Sequence, residues 1–141
     1  MSLYDKLMAV DDNTIREKRS REVHSARLSA LFGIETDITI EALPYRQVNK
    51  IMDAALKDNG RLDPDRAVDA RCHLIRLSVK DIPFGDENLQ KKFGASDPKN
   101  LAEKLFDYDI GIVADAILEL SGYGETEEQR EQEIEEEVKN S

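Results

Sequence analysis

The sequence predicts an α+β fold: a mainly helical single domain of about five helices with one small β element, a hairpin or an edge strand. Three observations carry this. Apolar residues recur at helical spacing along several stretches between residues 44 and 122, proline and glycine stand where such helices start and stop, and the segment from Thr36 to Glu41 alternates with a period of two. The length suits the prediction, because 141 residues fit one domain that can bury a core without disulfide or metal support.

In chain order, Leu3, Leu7 and Met8 lie at i, i+4 and i+5, the spacing of a short amphipathic helix that docks on its own body or on a partner. Asp11-Asp12-Asn13 ends it. From Thr14 to Leu28 the cations Arg16, Lys18, Arg19, Arg21 and Arg27 outnumber Glu17 and Glu22, and this stretch reads as a connection or arm. Arg27 to Phe32 forms a turn or two of helix that Gly33 closes as a left-handed cap. In the strand that follows, Thr36, Ile38 and Ile40 face one side and Asp37, Thr39 and Glu41 the other. A strand needs a backbone partner, and the candidates are the Glu22 to Ala26 stretch folding back as a hairpin or a strand of another subunit.

Pro44 suits the first position of the next helix, whose apolar face is Tyr45, Val48, Ile51, Met52, Ala55 and Leu56, with Gly60 closing it. Asp63-Pro64 pairs a capping side chain with a first-turn proline, and Val68, Cys72, Ile75 and Val79 then recur at i, i+4, i+7 and i+11. Pro83 and Gly85 interrupt the pattern, and Asp97-Pro98 repeats the start signal before Leu101, Leu105 and Phe106. A last helix carries Ile110, Val113, Ala114, Ile117 and Leu118 and stops at Gly122. Residues 1–124 therefore read as the domain. Residues 125–141 hold eight Glu against Arg130 and Lys139 and read as a separate acidic tail, solvated or frayed, with Ile134 and Val138 as the anchors of a docking helix in the sharper alternative.

Composition narrows the function. No apolar run approaches the ~18 residues of a membrane helix, and the first residues lack the apolar core of a signal peptide, so a soluble, non-secreted protein without a membrane partner is expected. Cys72 has no second cysteine with which to form a disulfide or a thiolate metal site. A nucleic-acid module usually combines a high pI with aromatics among its basic residues. Here the pI is about 4.7 and the basic stretch has no aromatic, so no nucleic acid is expected as a partner. Catalysis needs groups that converge. Cys72 and His73 are neighbours on one helix and point about 100° apart, His24 lacks a ligand-type residue at metal-site spacing, and the Asp107/Asp109 and Asp11/Asp12 pairs are unremarkable in so acidic a chain. The expectation is no enzyme, no catalytic residue, no metal and no cofactor.

The motifs, taken in order and spacing, resemble the XkdN-like phage tail assembly chaperones, typified by the defective prophage PBSX and found in contractile-tailed phages. The likeness rests on the Met-Ser-Leu-Tyr-Asp-Lys-Leu start, Arg27-Leu28-Ser29 with Gly33, the strand Asp37 to Leu43, the helix Pro44 to Leu56, and Val79 to Phe84. It continues through Leu89 to Ala95 with Asp97-Pro98-Lys99-Asn100-Leu101, and ends on Leu120 to Gly124. One departure is Leu43-Pro44 at the strand-to-helix corner, where such proteins often carry Ser or Thr before proline. The resemblance implies a role in the cytoplasm of a bacterial host: binding the tape measure protein, the long helical chain that sets tail length, and leaving before the virion is complete. The tail tube protein and further copies of the chain are additional partners under this reading. Leu3, Leu7 and Met8, with Ile38 and Ile40 on the strand, are the candidate partner-binding residues; the competing reading packs them on their own domain. Two other functions compete: a structural or adaptor component that stays in the tail, and a nucleic-acid-associated regulator using residues 16–27.

Overall fold

The computed structural model describes residues 2–123. Helix α1 spans Leu3–Ala9 and α2 Asp12–Arg16; strand β1 is Ser20–His24; α3 is Ala26–Phe32; β2 is Asp37–Glu41; α4 is Tyr45–Asp53; α5 is Pro64–Ser78; α6 is Glu87–Lys92; α7 is Pro98–Phe106; and a 3₁₀ turn at Asp107–Asp109 leads into α8, Ile110–Leu120. The fold is α+β. Helices α3, α4, α5, α7 and α8 carry the buried side chains, whereas α1, α2 and α6 bury none.

The β element is an antiparallel pair with α3 in its connection, registered Ser20 to Glu41 and His24 to Asp37. The partner of the predicted strand is therefore the chain's own Ser20–His24, two residues earlier than the Glu22 to Ala26 candidate. Period-two alternation drives Ile38 and Ile40 into the core, 3% and 0% exposed. Burial of that kind contributes about 1.5–3 kcal/mol per side chain. The far edge of β2 is closed without a third strand. Ser78 Oγ accepts from Glu41 N at 3.1 Å and donates to Glu41 O at 2.7 Å, Asp81 Oδ2 accepts from Thr39 N at 3.1 Å, and Ile40 bridges to Val79. A hydroxyl, a carboxylate and one residue of extended chain after α5 thus satisfy groups that would otherwise invite another chain.

Helix α5 lies at the centre, against α4, α7 and α8. Asp63 caps it, accepting from Asp65 N and Arg66 N at 3.0 and 3.3 Å, with Pro64 in the first turn. Its buried residues, Ala67, Ala70, Cys72, Leu74, Ile75 and Ser78, wrap much more of the circumference than the predicted stripe, because neighbours surround the helix. Asp97 caps α7 in the same manner, accepting from Asn100 N at 2.8 Å. Two glycine expectations hold. Gly33 caps α3 at φ 70°, and Gly122, at φ 78°, ends α8 in a Schellman motif where Tyr123 N donates to Leu118 O and Gly122 N to Glu119 O.

Several details depart from expectation. Pro44 is the cap residue of α4, not its first helical residue, and its extended ψ of 139° brings no side-chain cap. Gly60 does not end α4, which stops at Asp53; it takes φ 80° in a turn where Gly60 N donates to Lys57 O. Tyr45, placed on the apolar face, is 63% exposed and leans on the Tyr123 ring at 5.8 Å. Helices α2 and α6 have no counterpart in the sequence pattern. Each carries a single large apolar residue, Ile15 or Leu89, so neither shows a period. The acidic tail at 125–141 lies outside the described residues.

Candidate functional site

The predicted contact residues fall into two groups. Leu3, Leu7 and Met8 are 73%, 63% and 70% exposed on α1, where Tyr4 adds a fourth apolar side chain. The helix is held locally by its own capping box, in which Ser2 Oγ accepts from Asp5 N at 3.1 Å and the Asp5 carboxylate accepts from Ser2 N. A helix this short has little stability alone, and this one has its apolar side in water. Ile38 and Ile40 are different: both side chains are consumed by the protein's own core, and the outer backbone edge of their strand is closed by Ser78 and Asp81. Their side chains offer no surface to a partner.

The structure brings together an apolar groove that sequence reasoning missed. It runs between α3, the Asp81-Ile82-Pro83 turn and α6, with Leu105 of α7 in its floor. Leu28, Leu31, Phe32, Ile82, Pro83, Leu89 and Phe93 complete its apolar lining, Asp81 and Lys92 supply the charges, and the open volume is about 500 Å³. Phe32 and Leu31 stand 60% and 46% exposed along it. Leu28 and Leu105, by contrast, are buried and fix its base. Local chemistry explains why α3 presents Phe32 here. Ser25 Oγ accepts from Leu28 N at 3.1 Å to start the helix, Gly33 ends it after two turns, and the last residues are left beyond the reach of the core.

The start of α3 is anchored by a carboxylate from the other half of the chain. Asp109, 2% exposed, accepts from Ser25 Oγ at 2.7 Å and from Arg27 N at 2.8 Å. Ser25 thus spends its donor on Asp109 and its acceptor on the helix. The Arg27 guanidinium lies 5.9 Å from the centre of the Tyr108 ring, with Nε buried and unpartnered among the described residues. A turn-forming Asp two residues from another Asp gave no sequence signal for this role.

The titratable groups match a structural use. Burial, reinforced by the Glu103 and Asp69 carboxylates, pushes the Cys72 thiol up to about 12. Burial also lowers His73, helped by Arg76, whose Nε donates to His73 Nδ1 at 3.0 Å, and by Lys99. A small polar hollow of about 220 Å³ beside Cys72 is lined by Asp69, Asp97, Lys99 and Glu103 among others. Among the described residues no group of three or more His, Cys, Asp or Glu is placed to hold a metal ion, and no helix is long and apolar enough to cross a membrane. What the arrangement offers chemically is an apolar trough with aromatic walls, suited to a nonpolar face of another chain.

Comparison with known proteins returned one finding. The model of a family described as phage XkdN-like tail assembly chaperone protein matches residues 4–139. No curated protein and no solved structure matches the chain.

Proposed function

This chain belongs to the XkdN-like phage tail assembly chaperone family, and from that premise we propose that it binds the tape measure protein through the groove between α3 and α6. The observation that carries the reading is the exposed aromatic and aliphatic row of Leu31, Phe32 and Phe93 above a floor of buried Leu28 and Leu105. An unassembled tape measure chain presents apolar helical stripes that self-associate in water, and a groove of this apolar character covers such a stripe. The exposed Leu3, Leu7 and Met8 of α1 offer a second apolar contact. The acidic balance of the chain, -10 overall, keeps the complex soluble in the host cytoplasm. Each contact is modest, so tail tube subunits displace the chaperone as they polymerise.

Co-expression with the tape measure protein tests this. Wild-type chain is expected to move the tape measure into the soluble fraction. Phe32→Asp is expected to lose that effect with an unchanged unfolding midpoint, since Phe32 lies outside the core; loss of an aromatic anchor worth about 2 kcal/mol weakens binding about 30-fold. Equal solubilisation by wild type and Phe32→Asp removes the groove from the proposal. A tape measure that stays insoluble with either removes the proposal itself.

A further inference from the structure

The basic arm raises a separate question, because the fold places it beside the point where the acidic tail begins. Strand β1 runs along α8, and Arg19 and Arg21 reach the end of that helix: Arg19 donates to Leu120 O, and the Arg21 guanidinium lies 3.5 Å from Ala116 O and 3.8 Å from the Glu119 carboxylate. Two cations thus meet the negative end of the α8 dipole. Arg16 and Lys18, exposed on the approach to β1, form no ion pair among the described residues. The outer edge of β1 also has no backbone partner among the described residues. Ala42 N donates to Arg19 O and Ser25 N to Thr36 O, so the odd-numbered residues bond to β2, and Ser20, Glu22 and His24 turn their backbone groups the other way.

The chain leaves α8 through the Schellman turn at Gly122 and Tyr123. Glu125 follows two residues later, within about 7 Å of Tyr123 at full extension. From there to Ser141 the sequence holds eight Glu against Arg130 and Lys139, a net -6. Glu125 is only five residues beyond Leu120, whose carbonyl Arg19 holds, a tether of at most about 17 Å, so the tail's charge is joined to the chain beside these cations. We propose that residues 125–141 dock in cis on the basic face formed by Arg16, Lys18, Arg19 and Arg21 along the outer edge of β1. Position and charge select this occupant: the tail is the polyanion tethered at the site, and tethering makes its local concentration far higher than that of a free ligand. The docked tail neutralises a basic face on an otherwise acidic protein and covers that strand edge.

A spin label on the full chain reads this directly. Gln132→Cys in a Cys72→Ala background carries the label, and amide signals of residues 16–22 are followed as salt is raised from 0.01 M to 1 M, over which the Debye length falls from about 30 Å to about 3 Å. Docking in cis predicts a loss of at least about half the peak height at the low-salt end, recovery at the high-salt end, and a smaller loss in Arg16→Gln/Lys18→Gln, where screening and charge removal act on the same attraction. Undiminished signals at low salt overturn the proposal. So does broadening of the same size when label and isotope are on different molecules, since the occupant is then the tail of a second copy.

Discussion

Asp109 shows what a single side chain does in this molecule. It joins the 3₁₀ turn before α8 to the β1–α3 junction by accepting from Ser25 Oγ and Arg27 N in a buried setting. Asp109→Ala leaves both donors without a partner, and the cost of orphaned buried groups, about 1–3 kcal/mol each, is expected to lower unfolding free energy in urea by at least about 2 kcal/mol. Asp109→Asn keeps an acceptor and is expected to lose less. Cys72 makes a second prediction. Its thiol ionises near 9.0 when unfolded and near 12 when folded, so the folded state holds the proton more tightly. Its contribution to stability is complete below pH 9.0 and declines as pH rises towards 12. Cys72→Ala is therefore expected to flatten the fall of stability with pH over that window relative to wild type. A wild-type curve as flat as that of the variant contradicts the burial argument.

Elements differ in what holds them. Helix α5 is fixed by cap and core together, α3 by a cap, a glycine and Asp109, while α1 has only its capping box. A Leu7→Asp change is consequently expected to shift unfolding free energy by no more than about 0.5 kcal/mol, as for exposed sites generally, while reducing solubilisation of the tape measure in co-expression. A larger loss of stability means that α1 packs on the body in solution. The β element was legible as a strand from Thr36 to Glu41, and its partner only as one of two candidates and two residues out of place, because Ser20-Arg21-Glu22-Val23-His24 has Val23 as its single β-branched apolar residue. Helix α6 was hidden for a related reason: one leucine between charged and amide residues has no period.

At the scale of the whole molecule, the chaperone reading predicts absence from the finished particle. Mass spectrometry of purified virions is expected to find tail tube and tape measure peptides without this chain; recovery in stoichiometric amount favours a component that stays in the tail. Of the candidate site, α1 could be read in advance because its spacing is local. Ile38 and Ile40 could be read only as apolar, since period two does not say whether a strand's apolar face meets its own core or another chain. The groove could not be read at all. Leu31 and Phe32, Ile82 and Pro83, and Leu89 and Phe93 sit in three separate segments, and nothing in any of them marks a common surface. Local chemistry in the amino-acid sequence determined the fold class, most helix limits and the family, because propensity, capping and spacing act within a few residues. Which apolar side chains were buried, which strand closed β2 and how Phe32 and Phe93 came to line one groove were decided by tertiary structure alone, since burial depends on what long-range packing brings alongside.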